Sequence, residues 1–146
     1  MVTKMTSRYK NTFRNKVLGS ISSLPGNVVL RRDVESLGSA RQVSRALKSL
    51  VEDGELVKLG LGIYAKARPS EYLDCPVIRS GFTDACIEVL ERFGVKWEPS
   101  QALKDYNEGR SQQVPARFEV RLKSRFRRKI AYGNRSLRIE GMIYAK

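Results

Sequence analysis

Apolar residues recur at helical spacing in two stretches of the N-terminal half of the chain. In the first stretch, Tyr9, Phe13, Val17 and Ile21 lie four positions apart, which predicts a helix that ends before the Pro25-Gly26 pair. In the second stretch, the apolar residues lie at i, i+3, i+4, i+7 and i+8, and they are Val43, Ala46, Leu47, Leu50 and Val51. This unbroken stripe predicts an amphipathic helix over residues 39–53.

Local signals around residues 39–53 extend this prediction to a complete domain. Ser39 and Gln42 have the spacing of a capping box, and Gly54 is placed to end the helix. The β-type runs ELVKL and GIYAK follow, and the glycines between them predict a hairpin over residues 55–66. A short β-branched run, NVVL, and one or two helical turns in RRDVESLG precede the helix. This order of elements predicts a winged helix-turn-helix over residues 1–68.

The remaining residues, 69–146, are predicted to form a small α+β domain behind the proline-containing linker RPSEYLDCP. The segments TDACIEVLERFG and SQALKDYNEG predict two helices, and VKWEP predicts a short strand between them. Phe118, Val120 and Leu122 alternate with charged residues, which is the pattern of a half-buried strand. The Gly133-Asn134 pair predicts a turn between two further strands. The fold class predicted for the whole chain is α+β, and the C-terminal domain is predicted to end in an antiparallel sheet.

The formal net charge of +13 is distributed in blocks along the chain. Residues 1–68 carry 13 basic and 5 acidic side chains, residues 69–115 carry 5 and 8, and residues 116–146 carry 10 and 2. A uniformly charged surface selected for solubility would not show such blocks, whereas an excess of Lys and Arg favours polyanionic partners. We therefore predict a nucleic acid as the partner, with an anionic membrane surface as the weaker alternative. The apolar runs are too short for a membrane span.

The polar face of the predicted helix over residues 39–53 carries the residue types that read base edges in the DNA major groove. Arginine can bond guanine through two hydrogen bonds, and glutamine can do the same with adenine. The predicted base-reading residues are Arg41, Gln42, Ser44 and Arg45. The predicted contacts to the DNA backbone, which position a protein without reading sequence, are Arg31, Arg32, Lys48, Lys58 and Lys66. For Gln42 a capping role is the alternative, because it would turn the side chain back onto the start of the helix.

A second group of cations lies on and between the predicted C-terminal strands. These candidates for a second DNA-contact surface are Arg121, Lys123, Arg125, Arg127, Arg128, Lys129, Arg135 and Arg138. Their functional interpretation is that they follow DNA phosphates. The alternative is that charged side chains protect the edges of the sheet against aggregation.

Histidine and two nucleotide-binding motifs are missing from the sequence. The chain has no histidine, which excludes Ser-His and Cys-His nucleophile arrangements, and it has neither a P-loop nor a G-x-G-x-x-G pattern. Cys75 and Cys86 cannot supply the four or so Cys/His ligands of a structural zinc site, and we expect both thiols to be buried and reduced. The sequence therefore predicts no catalytic residues, no cofactor and no metal. A basic ribonuclease acting through Lys, Tyr and Arg is the enzymatic alternative.

Residues 28–67 resemble the winged-helix domain of AbiEi-type antitoxins and related regulators of mobile elements. The matching features are Asp33-Val34, Leu37-Gly38-Ser39, VSRAL with LVEDGEL, and the closing GIYAK. A weaker similarity extends into SQQVPARFEVRL and RKIAYGNRSLRI. In the family an arginine usually precedes the Gly-Ile/Val-Tyr motif, and here Leu61 stands in its place.

The resemblance implies an autoregulating repressor that binds inverted repeats upstream of its own operon. It also implies a functional pairing with a nucleotidyltransferase-like toxin, whose action the antitoxin opposes without forming a stable complex with it. Because operators of this kind consist of paired half-sites, we expect a homodimer or cooperative binding by two monomers. The expected location is the bacterial cytoplasm, in association with the nucleoid. The alternatives are a basic RNA-binding protein or RNA-directed toxin, and a winged helix used for protein–protein contacts.

Overall fold

The computed structural model describes residues 2–72, 74–109 and 119–142, and its mixture of helices and strands belongs to the α+β class. The chain divides into two compact units, residues 1–81 and 82–146. The first unit extends beyond the boundary predicted at residue 68, because the short strand Val77–Ile78 pairs with the hairpin strand that ends at Arg68. Much of the predicted linker thus belongs to the N-terminal unit.

The N-terminal unit contains the elements that the hydrophobic pattern predicts, in the predicted order. The helical turns predicted in RRDVESLG are two short 3-10 turns, Arg31–Asp33 and Glu35–Leu37. The helices and strands are α1 (Val2–Ser22), β1 (Val28–Leu30), α2 (Ala40–Glu52), β2 (Leu56–Gly60), β3 (Ile63–Arg68) and β4 (Val77–Ile78).

Strand β3 is the centre of the sheet, and β1, β2 and β4 all pair with it in antiparallel register. Tyr64 of β3 lies opposite Val29 of β1 and Lys58 of β2. The two hairpin strands are joined through Leu61 and Gly62, and Gly62 has a φ of 70°. That left-handed conformation is accessible to glycine at little cost, which explains the glycine at this turn.

The predicted apolar stripes of α1 and α2 pack against each other. Val17 and Ile21 of α1 are buried with Leu47 and Leu50 of α2, and Val29 of β1 joins the same cluster. Tyr9 lies within α1, but its side chain is outside the described part of the chain. The core therefore fixes one face of α2 inward and leaves the other face to solvent.

The ends of α2 confirm the sequence prediction for residues 39–53. Ser39 is the N-cap residue, and its hydroxyl accepts a hydrogen bond from the Gln42 amide at 3.2 Å. At the other end Gly54 has a φ of 77°, its amide donates to the Val51 carbonyl, and the Glu55 amide donates to the Leu50 carbonyl. These paired bonds form a Schellman motif, the usual glycine-terminated helix end.

The C-terminal unit is built around a three-stranded sheet, and its described residues include two helices and five strands. These elements are α3 (Phe82–Arg92), β5 (Trp97–Pro99), α4 (Gln101–Asn107), β6 (Glu119–Leu122), β7 (Ala131–Tyr132), β8 (Arg135–Ser136) and β9 (Arg138–Met142). Leu90 and Val95 pack with Val120 and Leu122 of β6. The predicted alternation is thereby confirmed for β6, while Phe118 lies outside the described residues.

The strand directions in this unit correct one prediction. Strands β5 and β6 are antiparallel, and so are β7 and β8 across the predicted Gly133-Asn134 turn, but β9 runs parallel to β6. The chain after β6 passes through residues 123–130 and the β7–β8 hairpin before β9 begins. This excursion returns the chain to the N-terminal end of β6, and β9 therefore runs in the same direction as β6. In the described residues of both units, no helix is long and apolar enough to cross a membrane.

Candidate nucleic-acid interface

The solvent-exposed face of α2 carries four of the predicted contact residues. Arg41, Arg45 and Lys48 lie at i, i+4 and i+7, so they form one row along the helix, and Ser44 lies beside them. All four side chains are exposed, whereas the buried positions of α2 are Val43, Ala46, Leu47 and Leu50. The structure thus brings together a cationic row on a helix whose opposite face is locked into the core.

Gln42 performs the capping role that was the alternative to base reading. Its side-chain Oε1 accepts a hydrogen bond from the Ser39 amide at 3.0 Å, which completes the reciprocal capping box. The side chain therefore satisfies a backbone donor at the start of α2, and a base contact would require that this bond be given up.

Arg31 connects the start of α2 to the tip of the hairpin. Its guanidinium donates to the Ala40 carbonyl at 2.9 Å, and its backbone amide donates to the Gly62 carbonyl at 2.9 Å. Burial raises the pKa of the Tyr64 phenol, and the positive charge of Arg31 partly offsets this effect. Arg31 is among the predicted contacts to the DNA backbone, and the sequence does not reveal this positioning role, since nothing local relates residue 31 to residues 40 and 62.

The predicted cations on the hairpin differ in their surroundings. Lys58 on β2 is exposed. Lys66 on β3 is half-buried, and its Nζ donates to the Leu24 carbonyl at 2.9 Å, so this side chain holds the segment after α1. Arg32, in the first 3-10 turn, is exposed, and Leu61 at the hairpin tip has 81% of its surface exposed.

In the C-terminal unit, two of the predicted cations surround one carboxylate. The carboxylate of Glu98 lies 3.6 Å from the Arg121 guanidinium, 3.7 Å from Lys123 Nζ and 3.0 Å from Lys104 Nζ. The hydrogen bond from Lys104 is the largest influence on the Glu98 pKa, and together with the three positive charges it holds that pKa below its ordinary value. Three cations against one carboxylate leave a surplus of positive charge. The sequence did not reveal this cluster, because its members come from β5, α4 and β6.

The remaining cations of the predicted second surface lie on the segment after β6 and on the last strands. Arg125, Arg127 and Lys129 are exposed, and so are Arg135 on β8 and Arg138 on β9. The Arg128 guanidinium lies 4.7 Å from the centroid of the Phe93 ring, a cation–π contact. In parallel register Arg138 lies opposite Glu119, so this part of the surface also contains an acidic neighbour.

The two thiols differ, which corrects the prediction that both are buried. Cys86 of α3 is buried, whereas Cys75 is exposed, and neither forms a disulfide. Burial raises the pKa of the Cys86 thiol to about 12. Within the described ranges, no cluster of three or more His, Cys, Asp or Glu side chains could hold a metal ion.

This difference gives a pH-dependent labelling pattern. The thiolate is the reactive form, and at pH 8 burial keeps Cys86 protonated because its pKa lies near 12. Iodoacetamide at that pH is expected to add one carbamidomethyl group to the native chain, at Cys75, and two groups after unfolding. Peptide mass spectrometry measures both products. Equal labelling of Cys75 and Cys86 in the native chain would show that the α3 core is open.

No protein-family model matches the chain, and no curated protein is significantly similar to it.

Proposed function

We propose that the N-terminal unit is a winged helix-turn-helix that binds double-stranded DNA, with α2 lying in the major groove. The observation that carries the proposal is the exposed row of Arg41, Arg45 and Lys48 on a helix whose other face is fixed in the core. An α-helix fits the major groove of B-DNA, and side chains near its N-terminal half reach the base edges. Arg41 and Arg45 occupy that half of α2.

The pairing of the strands supports the winged arrangement. The hairpin of β2 and β3 follows α2 directly, and β1 pairs with β3, which gives the order β1-β3-β2 within the four-stranded sheet. Arg31 holds the hairpin tip and the start of α2 through its two hydrogen bonds, so both elements can approach one DNA surface together. In this arrangement Arg41, Ser44 and Arg45 face base edges, and Arg32, Lys48 and Lys58 face phosphates. Gln42, Arg31 and Lys66 serve to position these elements.

The biological role that we propose is transcriptional repression of the protein's own operon, with antitoxin-like autoregulation. Its support is the sequence resemblance over residues 28–67 and the block of positive charge on residues 1–68. Inverted repeats present two half-sites, so we propose that two copies bind together, either as a dimer or cooperatively.

The function is tested by gel shifts at about 0.15 M salt with three probes of equal length. The probes are the duplex from upstream of the gene, a duplex of shuffled sequence, and single-stranded RNA. We expect the upstream duplex to bind with a Kd of roughly 10⁻⁸ M or below and about a thousandfold more tightly than the shuffled duplex. Preference for RNA would favour the RNA-binding alternative, and degradation of the RNA would overturn the non-enzymatic assignment.

A further inference from the structure

We propose that the C-terminal unit binds the phosphate backbone of duplex DNA, without regard to sequence, through the segment of residues 123–130, the basic loop. This inference rests on the proposed DNA-binding function and assigns a second contact surface to it. Arg125, Arg127 and Lys129 of the basic loop are exposed. Lys123 and Arg128 are exposed too, but Lys123 lies near the Glu98 carboxylate and Arg128 lies over the Phe93 ring.

The basic loop has no regular secondary structure, yet it is held at both ends. At its start the Lys123 amide donates to the Lys96 carbonyl at 2.7 Å, and the Lys96 amide donates to the Ser124 hydroxyl at 3.0 Å. At its end Ile130 is buried, and its carbonyl accepts a hydrogen bond from the Leu137 amide at 2.9 Å. Residues 125–129 are therefore a short bridge between two fixed points.

The middle of the basic loop is fixed by aromatic contacts. The ring of Phe126 lies 5.8 Å from the ring of Phe93, and it packs against the core of Leu90, Val120 and neighbouring residues. The Arg128 guanidinium lies over the ring of Phe93, the residue that Phe126 contacts. Because Phe126 and Ile130 are anchored in the core, the backbone that carries the cations is held in place, and binding costs less conformational entropy than it would for a mobile tail.

The Glu98 cluster adds to the positive potential where the basic loop begins. Lys123 is part of both the Glu98 cluster and the basic loop, and its neighbours around the Glu98 carboxylate are Arg121 and Lys104. One carboxylate cannot neutralise three cations, so the surface at the end of β6 attracts an anion in addition to the charges of the basic loop.

The chemistry of the basic loop fits the phosphates of a duplex better than bases of a single strand. Proteins that bind single strands stack bases on exposed aromatic rings. Here Phe93, Trp97 and Phe126 are half-buried against the hydrophobic core, so their rings are committed to packing. The basic loop has no helix or hairpin that could enter a groove, so its cations can reach only the backbone phosphates. Such contacts position a protein but carry no sequence information.

The test is the full-length triple variant Arg125→Ala/Arg127→Ala/Lys129→Ala, with binding to the upstream and shuffled duplexes measured as a function of salt. We expect affinity for both duplexes to fall by roughly tenfold, and the slope of log K against log salt to become shallower by about 2 to 3 units. The ratio between the two duplexes is expected to stay unchanged. A matched variant that also removes three exposed cations, all from the N-terminal unit, is Lys16→Ala/Arg68→Ala/Arg79→Ala, and it is expected to keep most of the wild-type slope.

A second variant separates charge from structure. Arg125→Lys/Arg127→Lys keeps the charges and is expected to bind both duplexes within about twofold of the wild type, because phosphate contacts need charge and little geometry. An unchanged salt slope in the alanine variant would overturn the proposal, and so would a selective loss of the upstream duplex. Tighter binding of single-stranded RNA that the alanine variant abolishes would reassign the basic loop to RNA. If the wild type does not distinguish the two duplexes, the proposed function of α2 fails, while the salt slope still tests the basic loop.

Discussion

Replacing Arg41 and Arg45 together with alanine is expected to abolish the preference for the upstream duplex while leaving residual binding to any DNA. Each arginine that bonds a guanine through two hydrogen bonds contributes about 1 to 3 kcal/mol of discrimination against the wrong base. The loss of both should therefore cost about 2 to 6 kcal/mol of binding free energy on the upstream duplex. Fluorescence anisotropy titrations with the two duplexes measure this difference.

The physical reason lies in where the two side chains are placed. Both belong to the N-terminal half of α2, both are exposed, and neither takes part in the packing of the core. Their removal should leave the fold intact, because surface substitutions of this kind change stability by about 0.5 kcal/mol or less. An unaltered thermal unfolding curve is the internal check.

A matched control separates specific reading from loss of charge. The double variant Lys16→Ala/Arg68→Ala removes the same charge from two exposed positions, and neither position belongs to α2, to the hairpin tip or to the basic loop. It is expected to weaken binding to both duplexes slightly and equally. If it reduced the preference as much as the Arg41/Arg45 variant does, net charge alone would explain the effect, and the assignment of α2 would be wrong.

The second large effect is expected for Leu47→Ala. Leu47 is completely buried between α2, α1 and the sheet, together with Val17, Ile21 and Leu50. Truncating a buried leucine removes apolar contacts and leaves a cavity, which destabilises the folded state by about 2 to 5 kcal/mol. Since small domains have unfolding free energies of about 5 to 15 kcal/mol, this loss is a large fraction of the total. Urea denaturation of the full chain, followed by circular dichroism, measures it.

Leu61→Ala is the control for this prediction because it makes the same chemical change at an exposed site. Leu61 lies at the hairpin tip with 81% of its surface exposed, so its truncation should change the unfolding free energy by about 0.5 kcal/mol or less. Similar costs at positions 47 and 61 would show that the apolar face of α2 does not form the core that orients its cationic face.

The features of α2 could be predicted because they are local. The stripe from Val43 to Val51, the capping box at Ser39 and the glycine stop at Gly54 are each encoded within a few residues, and each was found in the structure. The same holds for the turn at Gly133-Asn134. For such features the interacting groups are close in sequence, so the spacing alone specifies the contact.

The features that the sequence did not reveal depend on contacts between distant residues. Arg31 bonds to residues 40 and 62, Lys66 bonds to Leu24, and the carboxylate of Glu98 lies close to cations from α4 and β6. In each case a cation that looked available in the sequence has a structural partner. The parallel direction of β9 depends in the same way on the path of residues 123–137, which the alternation of side chains does not specify.

Base-analogue substitution tests directly whether α2 reads guanine through the major groove. The upstream duplex is prepared with 7-deazaguanine in place of guanine within the bound site, which removes the N7 acceptor from the major groove and leaves the minor groove unchanged. We expect each contacted guanine so replaced to lower wild-type affinity by about fivefold or more, while the Arg41→Ala/Arg45→Ala variant binds the modified and unmodified duplexes equally. Wild-type binding that is indifferent to the modification at every guanine would contradict this expectation.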